Sequence, residues 1–99
     1  MENEIFENTH FNDFNKTVYD NCIFKCSDFS NINIEDIGFI NCKFIECKFV
    51  GTTINDSLLK NILFDSCKMD FIIISDSNIN QIIKYIYEKV SFYFFIVWL

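Results

Sequence analysis

Large apolar residues recur at every fifth position along most of this chain. They form an unbroken series of fourteen: Phe14, Tyr19, Phe24, Phe29, Ile34, Phe39, Phe44, Phe49, Ile54, Leu59, Phe64, Met69, Ile74 and Ile79. An α-helix has a period of about 3.6 residues and a strand a period of about two, so neither produces this spacing. The pattern therefore predicts a repeating five-residue structural unit.

The positions around each large residue show what the unit is. Two residues earlier stands a smaller side chain, such as Cys22, Ser27 or Thr52, which points to the same side of an extended chain. Two residues later stands mostly a residue that favours tight turns. These turn formers are Asn21, Asn31, Asp36, Asn41, Gly51, Asp56, Asn61, Ser66 and Asp76. Each unit is predicted to be a short extended side followed by a corner.

Two consecutive segments carry a family resemblance. Cys42-Lys43-Phe44-Ile45-Glu46 and Cys47-Lys48-Phe49-Val50-Gly51 resemble members of the pentapeptide-repeat family, and the resemblance covers residues 12–81. It implies an all-β fold, a right-handed quadrilateral parallel β-helix with four units in each coil. The chain supports four sides independently, because related residues recur after every four units. Such sets include Phe24, Phe44 and Phe64, and also Asp36, Asp56 and Asp76.

The repeat divides the chain into three segments. Residues 1–11 are predicted to be an N-terminal cap, because Phe6 and Phe11 are out of phase with Phe14. Residues 12–81 are predicted to form about 3.5 coils, roughly 17 Å long at a strand spacing of about 4.8 Å. The core ladder is expected to contain Phe24, Phe44, Phe64, Phe29 and Phe49. Lys84 occupies the next central position and ends the repeat, which leaves residues 82–99 as an apolar C-terminal segment.

Charge and cysteine content narrow the class of protein. The net charge of −6 disfavours direct binding to nucleic acid and to anionic membranes. The acidic N-terminus has no apolar stretch typical of a signal peptide. Five cysteines, an odd number without an export signal, favour free thiols and a cytoplasmic location. Membrane association is the alternative location.

No catalytic residue, metal site or cofactor is predicted. Cys22, Cys42, Cys47 and Cys67 all fall at the smaller inward position, and no CxxC spacing occurs. His10 is the only histidine and precedes the repeat without a recognisable nucleophile motif. The sequence also contains no glycine-rich phosphate loop. These observations predict a protein that is not an enzyme.

A candidate acidic face consists of Glu35, Asp36, Asp56 and Asp76. Some proteins of the family that this chain resembles are similar to duplex DNA in shape and charge, and occupy the DNA site of type II topoisomerases. That resemblance implies a topoisomerase regulator or protector as an alternative function. Another interpretation is that aspartate is simply a good corner residue. Lysines interrupt the other faces, so the surface is not uniformly negative.

A candidate apolar contact patch lies at outward positions on two adjoining sides. Its members are Val18, Ile23, Ile40, Ile45, Leu58 and Leu63. An apolar patch on a small protein is typical of a contact site, whereas scattered exposed β-branched residues are common on strands. The leading hypothesis is a protein-interaction scaffold whose protein partner is unknown.

The C-terminal segment departs most from the repeat. Residues 90–99 carry no charge and are rich in aromatic residues, but this run is too short to span a bilayer, which needs about 20 residues. Three hypotheses compete: a cap that forms a homodimer through residues 85–99, membrane association through residues 90–99, or a truncated reading frame. A membrane-associated repeat protein is therefore a further alternative function.

Overall fold

The structure is a computed structural model that describes residues 1–10 and 17–85, with the side chains described up to residue 82. These ranges contain ten β-strands and no helix. The strands are β1 (Ile5–Glu7), β2 (Val18–Asp20), β3 (Ile23–Lys25), β4 (Asn33–Glu35), β5 (Gly38–Ile40), β6 (Lys43–Ile45), β7 (Thr53–Asn55), β8 (Leu58–Asp65), β9 (Ile73–Ser75) and β10 (Asn78–Tyr85). The chain is an all-β parallel solenoid of about four turns, as the resemblance to the pentapeptide-repeat family implied.

The coil has four sides, which we label A to D in chain order. Side A contains β2, β5 and the first halves of β8 and β10, and side B contains β1, β3, β6 and the second halves of β8 and β10. Side C is held by isolated parallel bridges that join Asp28, Lys48 and Lys68. Side D contains β4, β7 and β9.

Residues four units apart in the sequence stack directly in neighbouring coils. On side B, Phe24 pairs with Phe44 and Phe44 with Phe64. On side D, Ile34 pairs with Ile54 and Ile54 with Ile74. The predicted four-sided coil is therefore confirmed by the register of the strands.

The N-terminal residues join the solenoid through a shorter coil. Phe6 pairs with Phe24, Glu2 with Asp20 and His10 with Asp28, so each pair is closer in sequence than the stacked pairs of the later coils. Residues 1–10 thus contribute strand β1 to side B and stack on the first full coil. The shorter coil explains why Phe6 is out of phase with the rest of the repeat.

Every corner that the structure describes uses a residue with positive φ. These residues are Asn3, Asn8, Asn21, Cys26, Asn31, Asp36, Asn41, Glu46, Gly51, Asp56, Asn61, Ser66, Phe71, Asp76 and Gln81. Asparagine and glycine adopt this left-handed conformation at low cost, whereas a bulky side chain there is strained. The turn formers seen in the sequence therefore mark the corners, and Phe71 is the most unexpected residue among them.

The core consists of stacked rings. Phe44 lies 4.8 Å from Phe24 and 5.3 Å from Phe64 between ring centroids, with nearly parallel planes. Phe29 and Phe49 stack at 4.7 Å on side C. All five residues of the predicted core ladder are buried.

The smaller inward residues tie neighbouring coils together. The Cys47 thiol donates a hydrogen bond to the Phe24 carbonyl, and the Cys67 thiol donates one to the Phe44 carbonyl, at 3.2 and 3.1 Å. The Thr52 hydroxyl donates to the Phe29 carbonyl at 2.6 Å. Each contact gives a buried polar side chain a backbone acceptor in the preceding coil.

The parallel pairing continues to the end of the described chain. The backbone of Lys84 is in register with Phe64, and that of Tyr85 with Asp65. The predictions for residues 90–99, and those for residues 85–99 apart from the Tyr85 backbone, fall outside the described residues. Within the residues that are described, no helix is long and apolar enough to cross a membrane.

Candidate functional site

Three of the four predicted acidic residues form a column at the corner between sides D and A. Asp36, Asp56 and Asp76 are exposed and have φ values of 57°, 51° and 48°. We call this set the aspartate corner. Glu35 is exposed beside it on side D, but its strand neighbours in the next coils are Asn55 and Ser75 rather than carboxylates. The acidic surface is therefore one residue wide, with Glu35 beside its first member.

A shallow groove on side A borders the aspartate corner. It is lined by Val18, Gly38 and Leu58, and Asp36 and Asp56 form its edge. Val18 and Leu58 both pair with Gly38, which lies between them in the sheet. Because Gly38 has no side chain, it leaves a gap between the two apolar residues. The structure thus brings part of the predicted apolar patch next to part of the predicted acidic face.

The other predicted patch residues alternate with polar ones. Ile40 pairs with Asp20 and Lys60, and Ile45 pairs with Lys25 and Asp65. Lys43 separates Ile23 from Leu63. Of the six predicted residues, Val18 is 46% exposed, and the other five are half-buried. In the described structure, therefore, no two of the six stack directly on one another.

A column of amides lies at the corner between sides A and B. The Asn21 amide group donates a hydrogen bond to the Asn3 side-chain oxygen at 2.6 Å, and Asn61 donates one to Asn41 at 2.8 Å. Such stacked amides satisfy one another at an exposed corner. We assign them to the stability of the coil.

Two of the buried thiols, Cys42 and Cys67, are poorly suited to nucleophilic chemistry. Cys22, Cys42, Cys47 and Cys67 are buried and free. Burial raises the pKa of the Cys42 thiol to about 11, and the neighbouring Cys47 thiol together with burial raises the pKa of Cys67. A thiol that keeps its proton at neutral pH is a weak nucleophile and metal ligand.

The exposed titratable groups form small surface pairs. His10 Nδ1 lies 3.6 Å from Asp28 Oδ2. Hydrogen bonds from Ser30 lower the pKa of Asp28. Cys26 Sγ lies 3.7 Å from Glu46 Oε2, and desolvation together with the Glu46 carboxylate raises the pKa of this thiol. Within the described ranges, no group of three or more His, Cys, Asp or Glu side chains is placed to hold a metal ion.

Phe71 and Ile73 form an exposed apolar pair that sequence reasoning missed. Phe71 is 62% exposed at the corner between sides C and D, and Ile73 is 42% exposed on side D. The same corner position is Asn31 and Gly51 in the two coils before it. The missed signal was the replacement of a turn former by phenylalanine at that position.

Comparison with known proteins gives a structural match. No protein-family model matches the sequence, and no curated protein sequence matches it. A solved structure of trypsin-treated QnrB1, a plasmid-mediated fluoroquinolone resistance protein, superimposes with a TM-score of 0.69 at 18% sequence identity. A second trypsin-treated QnrB1 structure gives a TM-score of 0.44 at 22% identity over 84% of this chain and 42% of that chain.

The first match covers 82% of this chain and 43% of the QnrB1 chain. This chain therefore spans less than half the length of QnrB1. Identity at this level establishes similarity of fold, and function has to be argued from the surfaces. The five-residue period, the four-sided coil and the match to QnrB1 agree with one another. The chain has the pentapeptide-repeat β-helix fold.

Proposed function

We propose that this protein is a non-enzymatic interaction scaffold that binds a protein partner. The observation that supports this proposal is the groove on side A, where Val18, Gly38 and Leu58 lie beside Asp36 and Asp56. The groove offers apolar surface along its floor and carboxylates along its edge. A protein surface that presents an aliphatic side chain next to a lysine or arginine is complementary to both features.

The rigid frame under the groove favours binding over chemistry. The central residues beneath side A, Tyr19, Phe39 and Leu59, are buried in the core. A surface held in this way changes little on binding, which reduces the entropy cost of association.

The backbone at Gly38 has room for a Cβ. A Cβ at Gly38 would lie 3.7 Å from the nearest heavy atoms, which is ordinary van der Waals contact. Gly38→Val therefore places a β-branched residue, which suits a strand, between Val18 and Leu58. We expect this variant to fold and to lose the partner.

The experiment is affinity capture from an extract of the source cells, with quantitative mass spectrometry. A specific protein retained by the wild-type chain and lost with Gly38→Val supports the scaffold. Phe71→Asn serves as a matched surface control on another corner and should retain the partner. Equal capture by wild type and Gly38→Val would refute the groove as the contact.

A topoisomerase regulator is the second candidate, and the column at the aspartate corner favours it. Three exposed carboxylates stacked along one corner of a rod present a regular line of negative charge, as a DNA backbone does. QnrB1, with which this chain shares its fold, is a fluoroquinolone resistance protein.

The discriminating assay is DNA supercoiling by a purified type II topoisomerase, with and without a fluoroquinolone. If the chain mimics DNA, replacing Asp36, Asp56 and Asp76 with Lys abolishes its effect, whereas Gly38→Val preserves it. No effect of the wild-type chain on supercoiling would exclude this candidate.

A further inference from the structure

Among the described strands, β1 lies at one end of its sheet. In the order of strands on side B, β1 pairs with β3 and has no second neighbour among the described strands. The solenoid shows what such an edge offers, because each position on side B has equivalents in the coils that follow. We call such a set of equivalent residues in successive coils a column. The hydrogen bonds of the later members of a column show in which direction the backbone groups of its first member point.

The Ile5 amide is a hydrogen-bond donor that points away from the coil. In the same column, the N–H groups of Ile23, Lys43 and Leu63 each donate to a carbonyl of the preceding coil, at 2.9, 3.0 and 3.1 Å. Ile5 pairs with Ile23 and occupies the first position of this column. Its N–H has no acceptor among the described residues.

The Glu7 carbonyl is the matching acceptor. In its column, the carbonyls of Lys25, Ile45 and Asp65 each accept a hydrogen bond from a backbone N–H of the preceding coil. Glu7 pairs with Lys25 and is the first member of this column. Among the described residues, no backbone N–H donates to its carbonyl.

A side-chain contact leaves this carbonyl open to an added strand. The Thr9 hydroxyl donates to the Glu7 carbonyl at 3.1 Å, and the Ser27 hydroxyl donates in the same way to Lys25 at 3.0 Å. The Lys25 carbonyl accepts the Asn8 N–H as well, so the two bonds are compatible at one oxygen. Strand β1 therefore presents both a backbone donor and a backbone acceptor position.

The side chains of this end have a distinct character. Glu2, Glu4 and Glu7 are all exposed, and residues 1–10 contain no lysine or arginine. Ile5 is 60% exposed and lies above Ile23. Three glutamates would repel the same surface of a second copy, so the charge favours a basic partner over self-association.

We propose that the edge of β1 binds an extended, basic segment of a partner protein by strand addition, with its lysine or arginine side chains near Glu2, Glu4 and Glu7 and an aliphatic side chain on Ile5. This inference rests on the proposed function in that the partner is a protein. Backbone hydrogen bonds to Ile5 and Glu7 supply the register, and charge supplies the selectivity. The site is at the end of the rod, separate from the side A groove.

The probe is a fluorescein-labelled heptapeptide of alternating Lys and Val, and binding to the full chain is followed by fluorescence anisotropy. Two control peptides isolate the chemistry: the same sequence with N-methyl groups on alternate backbone amides, and a version with Glu in place of Lys. We expect at least tenfold weaker binding of both controls, and weaker binding of the Lys peptide at high salt.

Matched protein variants test whether the Lys peptide binds at the β1 edge. Replacing Glu2, Glu4 and Glu7 with Gln should weaken binding at least tenfold, whereas replacing Asp36, Asp56 and Asp76 with Asn removes the same number of charges at the aspartate corner and should leave binding unchanged. Ile5→Pro removes the free N–H without breaking a bond to the coil, as proline is tolerated at strand edges. It should abolish binding while circular dichroism confirms the fold.

A measurement on the wild-type chain avoids dependence on any variant. Hydrogen exchange by NMR should show that the Lys peptide slows exchange of the Ile5 amide. An Ile5 amide that exchanges equally fast with and without peptide would overturn the proposal. Equal binding of the N-methyl peptide would also overturn it. Self-association that light scattering detects in the wild type and not in Ile5→Pro would overturn it as well, since the occupant of the edge would then be a second copy.

The two proposals fail separately. Gly38→Val fills the side A groove and should bind the Lys peptide normally. Absence of peptide binding with normal capture of a groove partner refutes strand addition alone. If Gly38→Val still captures the partner and still binds the Lys peptide, the groove is not the contact. Slowed exchange of the Ile5 amide would then identify the β1 edge as the contact.

Discussion

Phe44 is a buried core ring with aromatic neighbours in its own coil and in the coils on either side. It is 2% exposed and stacks between Phe24 and Phe64. It also contacts Phe29, Phe39 and Phe49 edge-on, with ring centroids 5.6, 5.4 and 5.2 Å away. Replacement by alanine removes a buried ring in mid-stack and leaves a cavity that the neighbouring coils cannot close without losing their own pairing.

The expected loss in the free energy of unfolding follows from the burial of the Phe44 ring. Truncation of a buried phenylalanine to alanine costs about 4 kcal/mol, since the lost transfer free energy adds to the cavity term. The total stability of a small domain is about 5–15 kcal/mol, so this one change removes a large fraction of it. We expect Phe44→Ala to be folded but marginal at 25 °C.

Phe6 is the natural comparison. It belongs to the same side but lies at the end of the stack, half-buried, with Phe24 stacked on one face at 4.9 Å. Phe6→Ala should therefore cost less, about 2 kcal/mol, because part of the ring is already in water. Both variants keep the corner residues and the strand register unchanged.

The assay is urea denaturation followed by circular dichroism, with the free energy of unfolding extrapolated to water. The reasoning requires Phe44→Ala to lose clearly more stability than Phe6→Ala. An equal loss, or a loss below about 1 kcal/mol for Phe44→Ala, would show that this ring is not in the core stack.

Four further outcomes are expected. Gly51→Ala should lose about 1–2 kcal/mol of stability, because Gly51 has a φ of 68° and a Cβ would lie 2.6 Å from Asn31 Oδ1. Phe71→Asn should instead gain about 1 kcal/mol, because it relieves strain at the equivalent corner of the next coil. Urea denaturation of both variants checks these values. The free energy of unfolding should fall as pH rises from 9 towards 11, by up to about 1.4 kcal/mol per pH unit. The reason is that the Cys42 thiol keeps its proton in the folded state up to a pKa of about 11, whereas its unfolded pKa is 9.0. A Cys42→Val variant with the same pH slope would contradict this. Iodoacetamide should modify Cys26 first in the native protein and the buried thiols after unfolding, since Cys26 is the exposed cysteine, and mass spectrometry of the wild type beside Cys26→Ser tests the assignment.

The sequence determined the repeating unit, because each unit is specified by its own five residues. A large residue at the centre, a smaller one two positions before and a turn former two positions after are local features. Recurrence after every four units, as in Phe24, Phe44 and Phe64, was enough to predict four sides. The register of β3, β6 and β8 confirms that prediction.

Tertiary structure alone decided which outward side chains meet. The predicted apolar residues were chosen by position within their own units, but their neighbours belong to the coils on either side. Pairing places Lys43 between Ile23 and Leu63 and Gly38 between Val18 and Leu58. Contact on a solenoid surface is therefore set by stacking between coils, which a local pattern does not show.

The N-terminal coil shows the same limit most clearly. Phe6 is out of phase with the central series in the sequence, yet its ring stacks on Phe24 because this coil is shorter than those that follow. The β1 edge that no described strand pairs with follows from that placement, because the coil to which β1 pairs decides which way its backbone groups point. Local chemistry thus fixed what each unit is, and the geometry of stacking fixed which surfaces the protein presents.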